Sequence, residues 1–230
     1  MSFLTALEWE ALRLSLQVAT IAVLFSLPLG ILTAWVLARC EFFGKDILNG
    51  LVHLPLIVPP VVIGYLLLIG LGRRGPIGGW LFDSFGITIA FNWKGAAVAA
   101  AVMAFPLMVR AIRLSMEAVD SRLEDAARTL GANPFWVFVT VTLPLVLPGI
   151  LTGAILAFAR SLGEFGATIT FVANIPGETR TLPLALYTLT QTPGGEGAAL
   201  RLIAISVVLA LAALIASEAL ARRVAARIKG

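Results

Sequence analysis

One cysteine, Cys40, and one histidine, His53, are all that this 230-residue chain offers for cross-linking or for soft metal ligation. No disulfide can close within it, and neither residue has the Cys or His neighbours that a zinc site requires. Both are read as packing or rim positions, and no metal is expected. Serine-nucleophile chemistry is excluded on similar ground, because His53 is the one imidazole available as a base and no nucleophile motif surrounds a serine. The chain also lacks a Gly-x4-Gly-Lys-Ser/Thr loop, so it has no phosphate cradle of that type. Charge is scarce, with Asp, Glu, Lys and Arg at 13% of residues. The net charge of +4 comes without a basic stripe interleaved by exposed aromatics, so nucleic acid is not expected as a partner.

What the chain has in excess is apolar surface. Hydrophobic residues make up 59% of it and the mean hydropathy is +0.96, which suits a bilayer better than a soluble core. A hydrocarbon core of about 30 Å needs roughly 20 apolar residues per helix. Five such runs occur, near Leu12–Ala38, Leu51–Leu71, Gly95–Ile112, Leu145–Val172 and Leu202–Leu220. The expected fold is all-α, a polytopic bundle of five transmembrane helices forming one domain over residues 1–230. Pro28, Pro55, Pro59, Pro60, Pro106 and Pro148 fall inside these runs and predict kinks rather than breaks. Glu8 and Glu10 stand where a cleavable leader would carry basic residues, so no leader is expected.

Lys and Arg concentrate in cytoplasmic segments. With the amino terminus outside, the inner segments hold Arg39, Lys45, Arg110, Arg113, Arg122, Arg128, Arg222, Arg223, Arg227 and Lys229. The outer segments hold Arg13, Arg73, Arg74, Lys94, Arg180 and Arg201. That bias agrees with an odd number of spans and a cytoplasmic carboxyl terminus.

Between the third and fourth runs lies a charged island, Glu117–Pro144, which must face water. Ser121 and Glu124 have capping-box spacing, Gly131 suits a left-handed helix stop, and Asn133-Pro134 restarts a helix. Val119, Leu123, Ala126, Ala127 and Leu130 form an apolar face opposite Arg122, Glu124, Asp125 and Arg128. Adjacent alanines leave that face shallow enough for a partner to approach closely. A helix of about nine residues, about 14 Å long, fills a groove but does not fold alone. An amphipathic linker lying on the membrane would have the same pattern.

Asp125-Ala126-Ala127, three residues, Gly131, nine residues, then Val141-Thr142-Leu143-Pro144 resembles the EAA loop of ABC importer permeases, Glu-Ala-Ala-x3-Gly-x9-Ile-x-Leu-Pro. Asp125 and Val141 are the two departures, and both keep charge or shape. Segments Leu54–Leu68, Leu71–Gly78, Phe105–Asp120, Leu156–Val172 and Asn174–Glu196 are similar to the molybdate ABC transporter permease family. The resemblance implies a type I ABC importer permease in the bacterial inner membrane that translocates molybdate or tungstate. It also implies a homodimer, two cytoplasmic ATPase subunits carrying ATP and Mg, and an extracytoplasmic oxyanion-binding protein. On it, Glu124, Asp125, Ala126, Ala127, Arg128, Gly131, Leu143 and Pro144 couple the spans to the ATPase, with no enzyme activity and no cofactor on this chain. Sulfate or thiosulfate permeases share the loop and remain an alternative substrate class.

An ion-coupled secondary transporter would need intramembrane ionisable groups. The spans supply one pair, Arg160 and Glu164, spaced for one helix face. With Ser161 and Gly163 these residues either line a pathway or clamp helices together. Outside the membrane, Gly72–Trp93 and Asn174–Ala199 are long for simple connectors, and Arg73, Arg74 and Arg180 could pair with acidic residues of a docking protein. Trp80, Phe82, Phe85 and Trp93 are expected to mark an interfacial belt.

Overall fold

The computed structural model describes residues 5–229, with the side chains of 217, 220, 221 and 223–229 excepted. The basic side chains of Arg223, Arg227 and Lys229, counted above as inner charges, therefore lie outside the described residues. The described chain is helical throughout: α1 (Ala6–Arg39), α2 (Lys45–Ile57), α3 (Pro60–Leu71), α4 (Pro76–Phe85), α5 (Trp93–Glu117), α6 (Ser121–Thr129) and α7 (Pro134–Val137), then a π-helical turn (Phe138–Thr142), α8 (Leu143–Leu162), α9 (Gly166–Val172), α10 (Leu182–Thr190) and α11 (Glu196–Lys229). Among the described residues four helical stretches are long and apolar enough to cross a membrane, and the α2–α3 pair, bent at 114°, adds a fifth where the two halves are one broken span.

That pair corrects one expectation. The run Leu51–Leu71 is broken, with α2 and α3 meeting at 114°. A residue before proline is driven out of the helical region, and here two such residues follow one another. Val58 precedes Pro59 and Pro59 precedes Pro60, and both are extended, with ψ of 137° and 134°. The isolated prolines do not break their helices, since Pro28, Pro55, Pro106 and Pro148 all sit within continuous helices.

The run Leu145–Val172 is also broken. Its helix starts earlier, since Pro134–Leu162 is one apolar stretch through the π turn, and ends at Gly163. Glu164 Oε1 then accepts from Ala167 N at 2.9 Å, so the carboxylate caps a new helix instead of continuing the old one. The two long connectors are, as their length suggested, more than simple loops, because each contains a helix, α4 or α10.

α5 is the central helix, packed on α1, α8, α9 and α2. Its buried face is largely alanine, with Ala96, Ala97, Ala99, Ala100 and Ala104, which lets neighbouring backbones come close. One apolar cluster joins α1, α3, α5 and α9 around Phe171 and Met103, and a second joins α1, α5 and α8 around Leu37, Met108 and Ile112. A third small cluster, Ala11, Leu182, Ala185 and Leu202, ties α1, α10 and α11 together.

α3 crosses α9 at Gly64, where an added Cβ would stand 2.5 Å from Ala167 O and 2.9 Å from Thr170 Cβ. Gly64→Val should therefore lower the Tm of the purified protein, because overpacking against backbone costs about 1–3 kcal/mol. Gly50→Val in α2 is the control, since a Cβ there meets nothing within 4 Å. Equal melting of the two variants would show that the α3–α9 contact is not held this tightly.

Candidate functional site

The charged island folds into α6, a reversal at Gly131, and α7 with the π turn that feeds α8. The expected capping box does not form. Asp120 is the N-cap, its side chain accepting from Arg122 N at 2.9 Å, and Glu124 points elsewhere. At the other end Gly131 has φ of +88°, while Gly131 N donates to Arg128 O and Ala132 N to Ala127 O. These two bonds close the left-handed stop expected there. Asn133 Oδ1 accepts from Trp136 N at 2.9 Å with Pro134 at the first helical position, also as expected.

Glu124 does not lie on the exposed charged face its helical position suggests; it is the buried anchor of α6, only 7% exposed. Its Oε1 accepts from the Arg39 guanidinium at 3.0 Å and from Thr142 Oγ1 at 2.9 Å. One carboxylate thus ties α6 to the end of α1 and to the π turn entering α8. Arg39 also donates to Val119 O, so the guanidinium holds the α5–α6 connection as well as α6 itself. No local sequence pattern could reveal this, since Arg39 is 85 residues away.

With Glu124 turned inward, the apolar face turns outward. Leu123 is 50% and Leu130 89% exposed, Ala126 is exposed and Ala127 half-buried, and Phe135 and Trp136 extend the uncovered surface. Asp125 and Arg128 form an exposed 3.3 Å pair, which adds little stability. Leu143 tucks against the cluster around Leu37, Met108 and Ile112, while Pro144 is exposed at the first turn of α8.

Arg160 and Glu164 meet as their spacing suggested, at 2.7 Å, although the helix breaks between them. The Glu164 side chain is 2% exposed and that of Arg160 28%. Both Glu164 oxygens are engaged, one by Arg160 and one by Ala167 N. The Ser161 hydroxyl beside them is buried without a hydrogen-bond partner among the described residues.

Arg73, Arg74 and Arg180 differ in their surroundings. Arg73 lies over the Phe82 ring at 4.1 Å and Arg74 is exposed beside it, whereas Arg180 is half-buried and donates from Nε to Asn174 Oδ1 at 3.0 Å. Trp80 and Phe85 are exposed and touch edge to face, while Trp93 packs on the cluster around Phe171 and Met103. Cys40 is half-buried at the end of α1, and His53 Nδ1 donates to Asn49 O. The described residues hold no cluster of three potential metal ligands.

One further ion pair escaped the sequence reading. Glu8, 3% exposed, accepts from Arg201 at 2.9 Å and closes a capping box with Thr5. The Thr5-x-x-Glu8 spacing ahead of an apolar run was the available signal. The pair joins the starts of α1 and α11, at the end of the bundle opposite Arg39 and α6.

Two solved structures share this fold at low sequence identity. A bacterial alginate ABC transporter chain superposes with a TM-score of 0.75 at 18% identity, over 96% of this chain and 81% of that one. A chain of the MetNI methionine ABC transporter gives 0.66 at 17% identity, over 95% and 94%. Sequence relatives are much nearer. The molybdenum transport system permease protein ModB of Escherichia coli strain K12 is 66% identical over 95% of this chain and 96% of its own length. ModB of Haemophilus influenzae is 57% identical over 94% and 95%. A sulfate transport system permease protein, CysW of Synechocystis, is 37% identical over 90% and 77%. Residues 26–226 match the family described as binding-protein-dependent transport system inner membrane component. The chain belongs to that family and is a multi-pass transport component of the inner membrane.

Proposed function

We propose that the chain is the permease subunit of an ATP-driven importer of molybdate, tungstate being the nearest chemical relative. The near full-length similarity to two molybdenum permeases, against the more distant sulfate relative, supports the substrate. The observation that carries the machinery is α6, whose apolar face is uncovered while Glu124 fixes its base. That face fits a groove on a cytoplasmic ATPase, which supplies ATP, Mg and the closing motion. The chain works as one membrane domain and as a homodimer, with the pathway between the copies and two ATPases below. A binding protein delivers the anion at the Arg73, Arg74 and Arg180 connectors. The amino terminus is then outside and the carboxyl terminus cytoplasmic, which agrees with α1 ending beside α6 at Arg39.

The test is uptake in cells lacking their own molybdenum permease. Molybdate uptake should depend on an active partner ATPase, survive collapse of the ion gradient and resist excess sulfate. Competition by sulfate would assign the chain to the sulfate class, and loss on gradient collapse would assign it to secondary transport.

Docking makes a second prediction. Gly131→Pro cannot adopt the φ of +88° found there, and Ala126→Trp fills the shallow face. Each should reduce binding-protein-stimulated ATP hydrolysis about tenfold or more, equivalent to about 1.4 kcal/mol, while the subunit still inserts. Normal stimulation in both variants would remove α6 from the ATPase contact.

A further inference from the structure

Between the first half of α2 and the last turns of α5 lies a pocket of about 350 Å³ lined by Asn49, His53, Arg110, Arg113, Leu114 and Glu117. It sits at the end of the bundle next to α6, hence on the cytoplasmic side if the proposed function holds, and the inference rests on that reading for its sidedness. Arg113 is held at two points, Nε donating to Glu117 Oε1 at 2.7 Å and NH1 to Asn49 Oδ1 at 3.1 Å. Its remaining nitrogen has no partner among the described residues. Arg110 is exposed and pairs with no carboxylate among them. His53 donates from Nδ1 to Asn49 O at 2.8 Å, leaving Nε2 as its free edge. Two guanidinium groups therefore face one partly exposed carboxylate, and one of the two is pre-oriented by bonds to both helices.

An excess of arginine on this side follows from membrane topology alone. Topology does not account for a guanidinium tethered across helices with donors left over, beside a second that is unpaired. Fixed guanidinium forks match the oxygen geometry of a tetrahedral oxyanion. We infer that this pocket binds a tetrahedral oxyanion, either the transported anion as it leaves or the phosphate of an anionic lipid headgroup. Glu117 keeps the site weak, as release requires.

The assembled permease and ATPase, without binding protein, in phosphatidylcholine nanodiscs provides the test. Radiolabelled molybdate should bind saturably, Arg110→Ala should weaken binding about tenfold, and Glu117→Gln should strengthen it. Arg110→Ala removes an exposed side chain, so folding is not at stake, and Arg113→Lys keeps the charge while losing the fork. In nanodiscs containing phosphatidylglycerol, competition with molybdate that disappears in Arg110→Ala identifies the headgroup as occupant, and undiminished molybdate binding identifies the free anion. If Arg110→Ala, Arg113→Lys and Glu117→Gln all match the wild type for molybdate binding and for retained phosphatidylglycerol, or the wild type takes up neither ligand, the site does not exist. Binding-protein-driven molybdate uptake by the wild type in liposomes is scored separately. Uptake without pocket binding overturns the site alone, and phosphatidylglycerol binding without uptake overturns the molybdate reading alone.

Discussion

Glu124→Ala should yield a permease that inserts poorly and no longer couples anion delivery to ATP hydrolysis. The carboxylate is shared between the Arg39 guanidinium and the Thr142 hydroxyl, at 3.0 and 2.9 Å, where α6 meets the bundle. Removing it strands Arg39, whose side chain is 19% exposed and whose Nε already lacks a partner. Breaking one side of a buried pair costs about 3–5 kcal/mol. A nine-residue helix cannot hold its own shape or position, so α6 loses its register on the bundle at the same time. Stability and coupling separate in the double variant. Arg39→Ala with Glu124→Ala leaves no stranded charge and should recover insertion, but nothing then ties α6 to α1 and the π turn, so stimulated hydrolysis should stay lost. Glu124→Gln keeps an acceptor for both donors and should fall between. The measurement is ATP hydrolysis with loaded binding protein beside the amount of inserted protein. Normal stimulation in the double variant would show that α6 needs no such anchor.

What could be read from the chain was whatever depended on neighbours in sequence. The Gly131 stop, the Asn133-Pro134 restart and the apolar run Leu123, Ala126, Leu130 are all local features, and all appear as expected. The all-helical, membrane-spanning class followed from composition in the same way. Errors arose where a local rule met a second constraint. Single prolines kink a helix, but the Pro59-Pro60 tandem forces two consecutive residues out of it, and the span folds at 114°. Glu124 satisfied the spacing of a capping box, yet Asp120 took the cap and freed the carboxylate for Arg39. That pair spans 85 positions and Glu8–Arg201 spans 193, so each depends on the way the helices pack and on nothing in the flanking sequence.

Arg160 and Glu164 were spaced for one helix face, and the break at Gly163 gives the pair an asymmetry with measurable consequences. Glu164 is almost wholly enclosed and serves two donors, Arg160 and the start of α9, while Arg160 keeps about a quarter of its side chain in contact with its surroundings, 28% exposed. If the pair is a clamp, Arg160→Ala is the most damaging change, because it strands a buried carboxylate at a cost of about 3–5 kcal/mol. Glu164→Ala costs less: the freed guanidinium can reach outward, and the lost cap on α9 is worth about 1 kcal/mol. The double change should be no worse than Glu164→Ala, leaving the lost cap and a packing defect. Assembly of the three variants should therefore rank double and Glu164→Ala above Arg160→Ala. A pathway role gives another order: all three assemble equally and Arg160→Ala alone abolishes molybdate uptake, because the guanidinium is then needed by the passing dianion. Uptake and assembly measured on the same membranes distinguish the two, and equal assembly with selective loss of uptake in Arg160→Ala would end the clamp interpretation.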